Sequence, residues 1–175
     1  MKKLLLIIPV FLFSFCVYGQ NVKRAYKQLE KLDYVKSEES FKKEAILYKE
    51  NPAVNFGLAL IYDDEESPYY DLIKAWSNIR ITEKNLDNLT EEETEIIGEY
   101  FTNTEKRRSS RSVDKKIEHA IGALEAKVIR YIREENNLEL AYEVINKFPD
   151  FRHFDNVVHI RNQLEFRKYA KQNTL

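Results

Sequence analysis

The sequence predicts an all-α protein built from antiparallel helical hairpins, and three observations predict it. Apolar residues recur at three- and four-residue spacing through nearly the whole chain, as they do on amphipathic helices. Nowhere do they alternate with polar residues over the length of a strand. Only 4 Gly and 4 Pro leave little material for the turns of a sheet protein, whereas abundant Glu, Lys, Leu, Ile and Ala favour helix. Short helices joined by short turns pack as antiparallel neighbours.

The first segment stands apart. Met1-Lys2-Lys3 followed by the apolar run Leu4 to Val17 has the basic head and apolar stretch of a secretory signal peptide, ending in Val17-Tyr18-Gly19 before Gln20. The run is shorter than the roughly 20 residues that cross a bilayer and contains Pro9. Phe15 before Cys16 does not fit a lipoprotein site. Residues 1–19 are therefore read as cleaved, and the mature chain as exported to the periplasm or beyond, with no membrane span and with peripheral association with the envelope left open. Cys16 is the only cysteine, so disulfides are excluded and the fold rests on its own core. The net charge of -1 loses Lys2 and Lys3 and no acid, becoming -3. Weak acidity argues against nucleic acid as a partner.

The mature helices follow in order. Val22, Ala25, Tyr26, Leu29 and Leu32 make the first stripe, and Asp33-Tyr34 opens a second helix carrying Phe41, Ala45 and Tyr48. Asn51-Pro52 starts a third, with Phe56, Leu60 and Ile61, because proline at a first helical position gives up no hydrogen bond. Ser67-Pro68 reads as the same start signal for a fourth, with Leu72, Ile73, Trp76 and Ile79 inside. Thr90 and Glu93 form a capping box before Ile96, Ile97, Tyr100 and Phe101. The basic run Lys106 to Arg111 has no apolar residue and reads as an exposed loop over residues 106–112. Ile117, Ile121, Leu124, Val128 and Tyr131 then give the cleanest stripe, ended by Asn136-Asn137. Leu138 to Phe148 is a short helix stopped by Pro149, and Phe154, Val157, Val158 and Leu164 mark a last long one.

From Asn21 to about Ile81 this pattern resembles tetratricopeptide (TPR) repeats, stacked helix pairs with a period of about 34 residues. Ala25 falls at the family's small residue, Tyr34 at its aromatic after the turn, Ser37 at the small residue of the second helix and Phe41 at the aromatic beneath it. In the next unit Leu58, Ala59 and Tyr62 match the first helix and Ala75 the second, after an insertion at Asp63 to Pro68; the tryptophan position is filled in neither. Leu138 to Pro149 looks like another second helix. Asn136-Asn137-Leu138 and Asn173-Thr174-Leu175 recur 37 positions apart, which suggests a piece of a longer repeat protein or the capping end of a short one. With its signal, the chain looks like the exported helical-repeat proteins of the Bacteroidetes type. The resemblance implies a short TPR-like α-solenoid over residues 20–105, continued as further helical repeats over 113–175.

The sequence offers no catalytic apparatus. His153 and His159 are six residues apart, off the three- or four-residue spacing of helical metal ligands, and Glu118-His119 lacks a second histidine. Ser109 and Ser110 have no nucleophile elbow, and Gly57, Gly98 and Gly122 sit singly inside helices, where they allow close helix approach. Glu91, Glu92, Glu93 and Glu95 suit a solvated first helical turn. Asn88-Leu89-Thr90 is a glycosylation sequon whose threonine already serves as a cap. No metal or cofactor is expected. The resemblance implies a non-enzymatic scaffold whose concave face takes another protein or peptide, through Lys23 and Tyr26 on the first helix and Phe56 and Asp63 on the third. The alternative is a small-molecule carrier or enzyme with a pocket between helices of the second half.

Overall fold

The computed structural model describes residues 20–105, 111–149 and 153–172. The expected signal peptide, Cys16 and most of the basic run Lys106 to Arg111 lie outside them. Every regular element among the described residues is helical: α1 (residues 20–30), α2 (Tyr34–Leu47), α3 (Pro52–Asp63), α4 (Leu72–Lys84), α5 (Glu91–Thr104), α6 (Val113–Glu134), α7 (Leu138–Lys147) and α8 (Phe154–Gln172). A 3-10 turn, Leu86–Asn88, precedes α5. The all-α class is as expected. The chain forms two compact units that divide between Ile121 and Gly122, inside α6.

Side chains set most helix starts. Asp33 caps α2, Asn51 accepts from the Val54 N–H at 2.9 Å with Pro52 at the first position of α3, and Asn137 accepts from the Leu140 N–H at 2.9 Å to open α7. Thr90 and Glu93 form the expected capping box of α5. The helix expected to start at Pro68 starts instead at Leu72, where Asp71 accepts from the N–H groups of Ile73 and Lys74 at 3.1 and 3.0 Å. Pro68 occupies the second position of a turn closed by the Tyr70 N–H on the Ser67 carbonyl at 3.1 Å, a place its fixed φ suits as well as a helix start.

Two helices end in the same way. The Asp33 N–H reaches back to the Gln28 carbonyl at 3.0 Å and the Leu32 N–H to Leu29 at 2.9 Å, a Schellman motif with Leu32 in the left-handed region at φ 57°. Asn136 takes that place after α6 at φ 50°, with the Asn137 N–H on the Ile132 carbonyl. Asparagine tolerates this conformation; a leucine there costs roughly 1–2 kcal/mol. Leu32, expected in the first stripe, is thus turned out of it and stands 57% exposed.

In the first unit α3 lies between α2 and α4 and is buried along almost its whole length. The closest approach is α2 on α3: Phe41, fully buried, sits face-on to Gly57 so tightly that a Cβ there would lie 2.2 Å from Phe41 Cζ. Ser37 Oγ donates to the Ala25 carbonyl at 2.9 Å, joining α2 to α1 through two small residues. Trp76, the only tryptophan, is fully buried on α4, with Ile79 and Thr82 below it. Gly98 meets only Val113 Cγ2 at 3.4 Å and Gly122 meets nothing within 4 Å, so close approach explains Gly57 alone.

The second unit is built on the packing of α7 against α8. Its buried side chains are Leu124, Glu125, Val128 and Ile132 of α6, Leu140, Ala141 and Val144 of α7, and Val157, Ile160 and Leu164 of α8. Ile132 takes the inner place expected for Tyr131, which is exposed. A straight helix turns about every 3.6 residues, so a stripe continued at 3.5 drifts off the buried face within two heptads.

Candidate functional site

The four residues expected to face a partner all lie in the first unit, and the structure brings three of them together in an unexpected way. Tyr26 is buried; its hydroxyl donates to the Ala53 carbonyl at 2.7 Å, and its ring meets Phe41 edge-on with centroids 5.0 Å apart. Phe56 is fully buried. Tyr26 and Phe56 are therefore core aromatics and offer no surface to a partner, a correction to the groove reading. Asp63, at the end of α3, is half-buried.

The reason is α5. The Tyr100 ring packs at a tilt against Tyr26 with centroids 5.5 Å apart and that of Phe101 against Phe56 at 5.8 Å, and Lys23 Nζ donates to Glu99 Oε1 at 3.0 Å. The faces of α1 and α3 that the TPR resemblance assigns to a ligand are covered by a helix of the same chain. The capping box helps fix it there: Asn51, which caps α3, donates its amide to Glu93 Oε1 at 2.5 Å, while Glu93 Oε2 takes the Thr90 N–H at 2.9 Å. Glu93 is buried by this linkage, whereas Glu91, Glu92 and Glu95 are solvated as expected. Only the side chain facing α3 leaves water, a distinction that four near-consecutive glutamates do not carry in sequence.

Electrostatics follow the same packing. The hydrogen bond to Glu99 raises the Lys23 ammonium above its ordinary value, partly opposed by desolvation. Burial pushes the Tyr100 phenol up to about 12. Burial and the bond donated to Asp64 Oδ2 at 2.6 Å hold the Tyr34 phenol well above the usual range. All three groups keep their neutral-pH charge state, so the cluster is a structural joint.

Among the described residues no group of three or more His, Cys, Asp or Glu is arranged to hold a metal. His119, His153 and His159 are exposed; His153 Nε2 stands 3.9 Å from Oε2 of the buried Glu125. In the second half an open depression of about 550 Å³ is lined by Asn136, Leu138, Leu164, Arg167, Lys168 and Lys171.

Surface that the core does not use is concentrated at particular places. At the end of α2, Ile46 and Leu47 stand 73% and 72% exposed, with Tyr48 beside them. On α8, Phe166 and Tyr169 lie outside the core. Tyr48, expected in the stripe of α2, is instead exposed; Ile46, Leu47, Phe166 and Tyr169 were not singled out from sequence, because apolar residues one position off a helical stripe look like stripe edges. No described helix is long and apolar enough to cross a membrane. No family model, curated protein or solved structure matches the chain.

Proposed function

We propose that the chain is an exported, non-enzymatic scaffold of TPR-like helical hairpins that binds another protein, and that it does so through an outer apolar patch instead of the α1–α3 face. Three consecutive apolar residues in water at a helix end, Ile46, Leu47 and Tyr48, carry this reading. Aliphatic side chains as exposed as Ile46 and Leu47 cost solubility, and a tyrosine beside them is the composition of an interface centre. The small-residue joints Ala25–Ser37 and Phe41–Gly57 support the repeat-like stacking. The signal-like segment before Gln20 supports export.

A photoreactive residue placed at Leu47 in the producing cell tests the patch. The expected result is a discrete cross-linked adduct that the same residue at Lys84 does not give. Identical patterns at both positions would reject the patch as a contact. Mass spectrometry of the exported species tests the location, with a mature chain beginning at Gln20 expected and a retained Met1 overturning it.

A further inference from the structure

The turn between α1 and α2 holds a combination that neither the core nor the scaffold reading uses. Leu32 occupies a left-handed position that glycine fills at no steric cost, and its side chain is 57% exposed. Val35, on the first turn of α2, is 56% exposed. Two branched apolar side chains thus stand in water at the end of a hairpin, one of them on a backbone that resists it. Lys31 and Lys36 flank them in sequence.

Arg24 and Lys27 on α1 and Lys31 in the turn that follows it stand at three- and four-residue spacing. No carboxylate among the described residues pairs with any of the three. Lys23 and Lys36, by contrast, are held by Glu99 and Asp33 at 3.0 and 2.7 Å. These five cations line an open depression of about 530 Å³ in which Asp33 is the only acidic residue and no apolar side chain takes part. Like charges stacked on one helix face repel each other; Glu39 and Glu44 line a neighbouring depression with Arg24, but neither closes on it as an ion pair. The ladder rises about 10 Å along α1 and into the turn, comparable with the Debye length at physiological salt.

We propose that the α1–α2 turn is a membrane-surface contact: Leu32 and Val35 enter the headgroup region of an anionic bilayer, and Arg24, Lys27 and Lys31 take its phosphates. The arrangement favours a lipid surface over an acidic peptide. The apolar pair stands at the turn end of the α1–α2 hairpin, next to the cations, and the depression itself offers a peptide no apolar subsite. A chain with net charge -1, and -3 without its first two lysines, has no general affinity for anionic surfaces, so the attraction is local to this ladder.

The test is co-sedimentation of the chain from Gln20 onward with vesicles of phosphatidylglycerol and phosphatidylcholine in equal parts, against phosphatidylcholine alone. Binding to the anionic vesicles only, weakened by salt, is expected. The triple variant Arg24→Gln, Lys27→Gln, Lys31→Gln loses at least about tenfold, while Lys49→Gln, Lys84→Gln, Lys115→Gln, which removes the same charge elsewhere, changes binding less than about twofold. Leu32→Gly separates binding from folding: relief of the left-handed leucine raises the thermal midpoint, while loss of the side chain weakens vesicle binding several-fold. Equal binding to both vesicle types, an unchanged affinity in Leu32→Gly, or an equal loss in the control triple variant would each overturn the proposal. So would polyglutamate competing with the vesicles at a strength that Leu32→Gly leaves unaltered, which would assign the ladder to an acidic peptide.

Discussion

Gly57 offers the sharpest test of how the first unit is packed. A Cβ at this position would stand 2.2 Å from Phe41 Cζ and 2.5 Å from both Cε atoms. Carbon atoms in contact rest at about 3.5–4.0 Å, so the ring of Phe41 must retreat by well over about 1 Å. It has nowhere to go, since Phe41 is fully buried with Tyr26 against its edge at 5.0 Å. Overpacking of this kind costs about 1–3 kcal/mol, and a clash this deep belongs at the upper end; alanine returns about 1 kcal/mol of helix propensity. Gly57→Ala is therefore expected to destabilise the first unit by about 2 kcal/mol, roughly 10 °C in midpoint. Urea unfolding followed by Trp76 fluorescence reads this unit alone, because the only tryptophan lies in its core. Gly122→Ala is the internal control, since nothing stands within 4 Å of its Cβ; it should gain about 0.5–1 kcal/mol by far-UV circular dichroism. Pairing Gly57→Ala with Phe41→Leu should recover part of the loss, giving a coupling of about 1 kcal/mol or more. If Gly57→Ala raises the midpoint as an ordinary exposed helix glycine would, the α2–α3 contact is not as described.

Further outcomes follow from the caps. Glu93→Ala strands the Asn51 amide and the Thr90 N–H and should cost about 2–3 kcal/mol in urea unfolding, whereas the solvated Glu91→Ala stays within about 0.5 kcal/mol; equal effects would refute the buried linkage. Asn136→Ala forces alanine into the left-handed region at φ 50° and should lower the stability of the second unit by about 1 kcal/mol in circular dichroism, with Asn136→Gly near neutral. At Asp71, burial alone would raise the carboxyl, but the bonds it accepts from the Lys74 N–H and ammonium and the Ile73 N–H outweigh it and hold the carboxyl below its usual 3.8. A depressed folded value means stability present above pH 3.8 and lost as pH falls through the folded value. The advantage of the native chain over Asp71→Asn, which keeps the cap but not the charge, should hold from pH 7 down to about pH 3.8 and shrink below it; a constant gap would show that Asp71 acts through its cap alone.

Much of the fold was legible because it rests on local rules. The caps Asp33, Asn51, Thr90 and Asn137 and the proline at the start of α3 are signals within four residues of the helix they start. The Ser67-Pro68 pair misled because proline fits a turn and a helix start equally well, and only the competing cap at Asp71 decides between them. Tyr131 misled through the difference between 3.5 and 3.6 residues per turn. The groove residues could not be read at all from local pattern. Whether Tyr26 and Phe56 face a partner or the core depends on where α5 lands, and that is fixed by contacts reaching across more than forty residues, from Lys23 to Glu99 and from Asn51 to Glu93. The exposed leucine at 32 was hidden for a different reason, since sequence periodicity carries no record of the sign of φ.

The placement of α5 also sets a threshold for anything approaching the α1–α3 face. A helix tethered to its own docking site competes at an effective concentration of about 1 mM. If α5 held that face with an intrinsic dissociation constant of about 1 μM, a free peptide would find it vacant about one time in a thousand, and its apparent affinity would weaken by the same factor. A partner able to claim that face would have to displace Tyr100 and Phe101 together, unfolding the joint that Glu93 fastens.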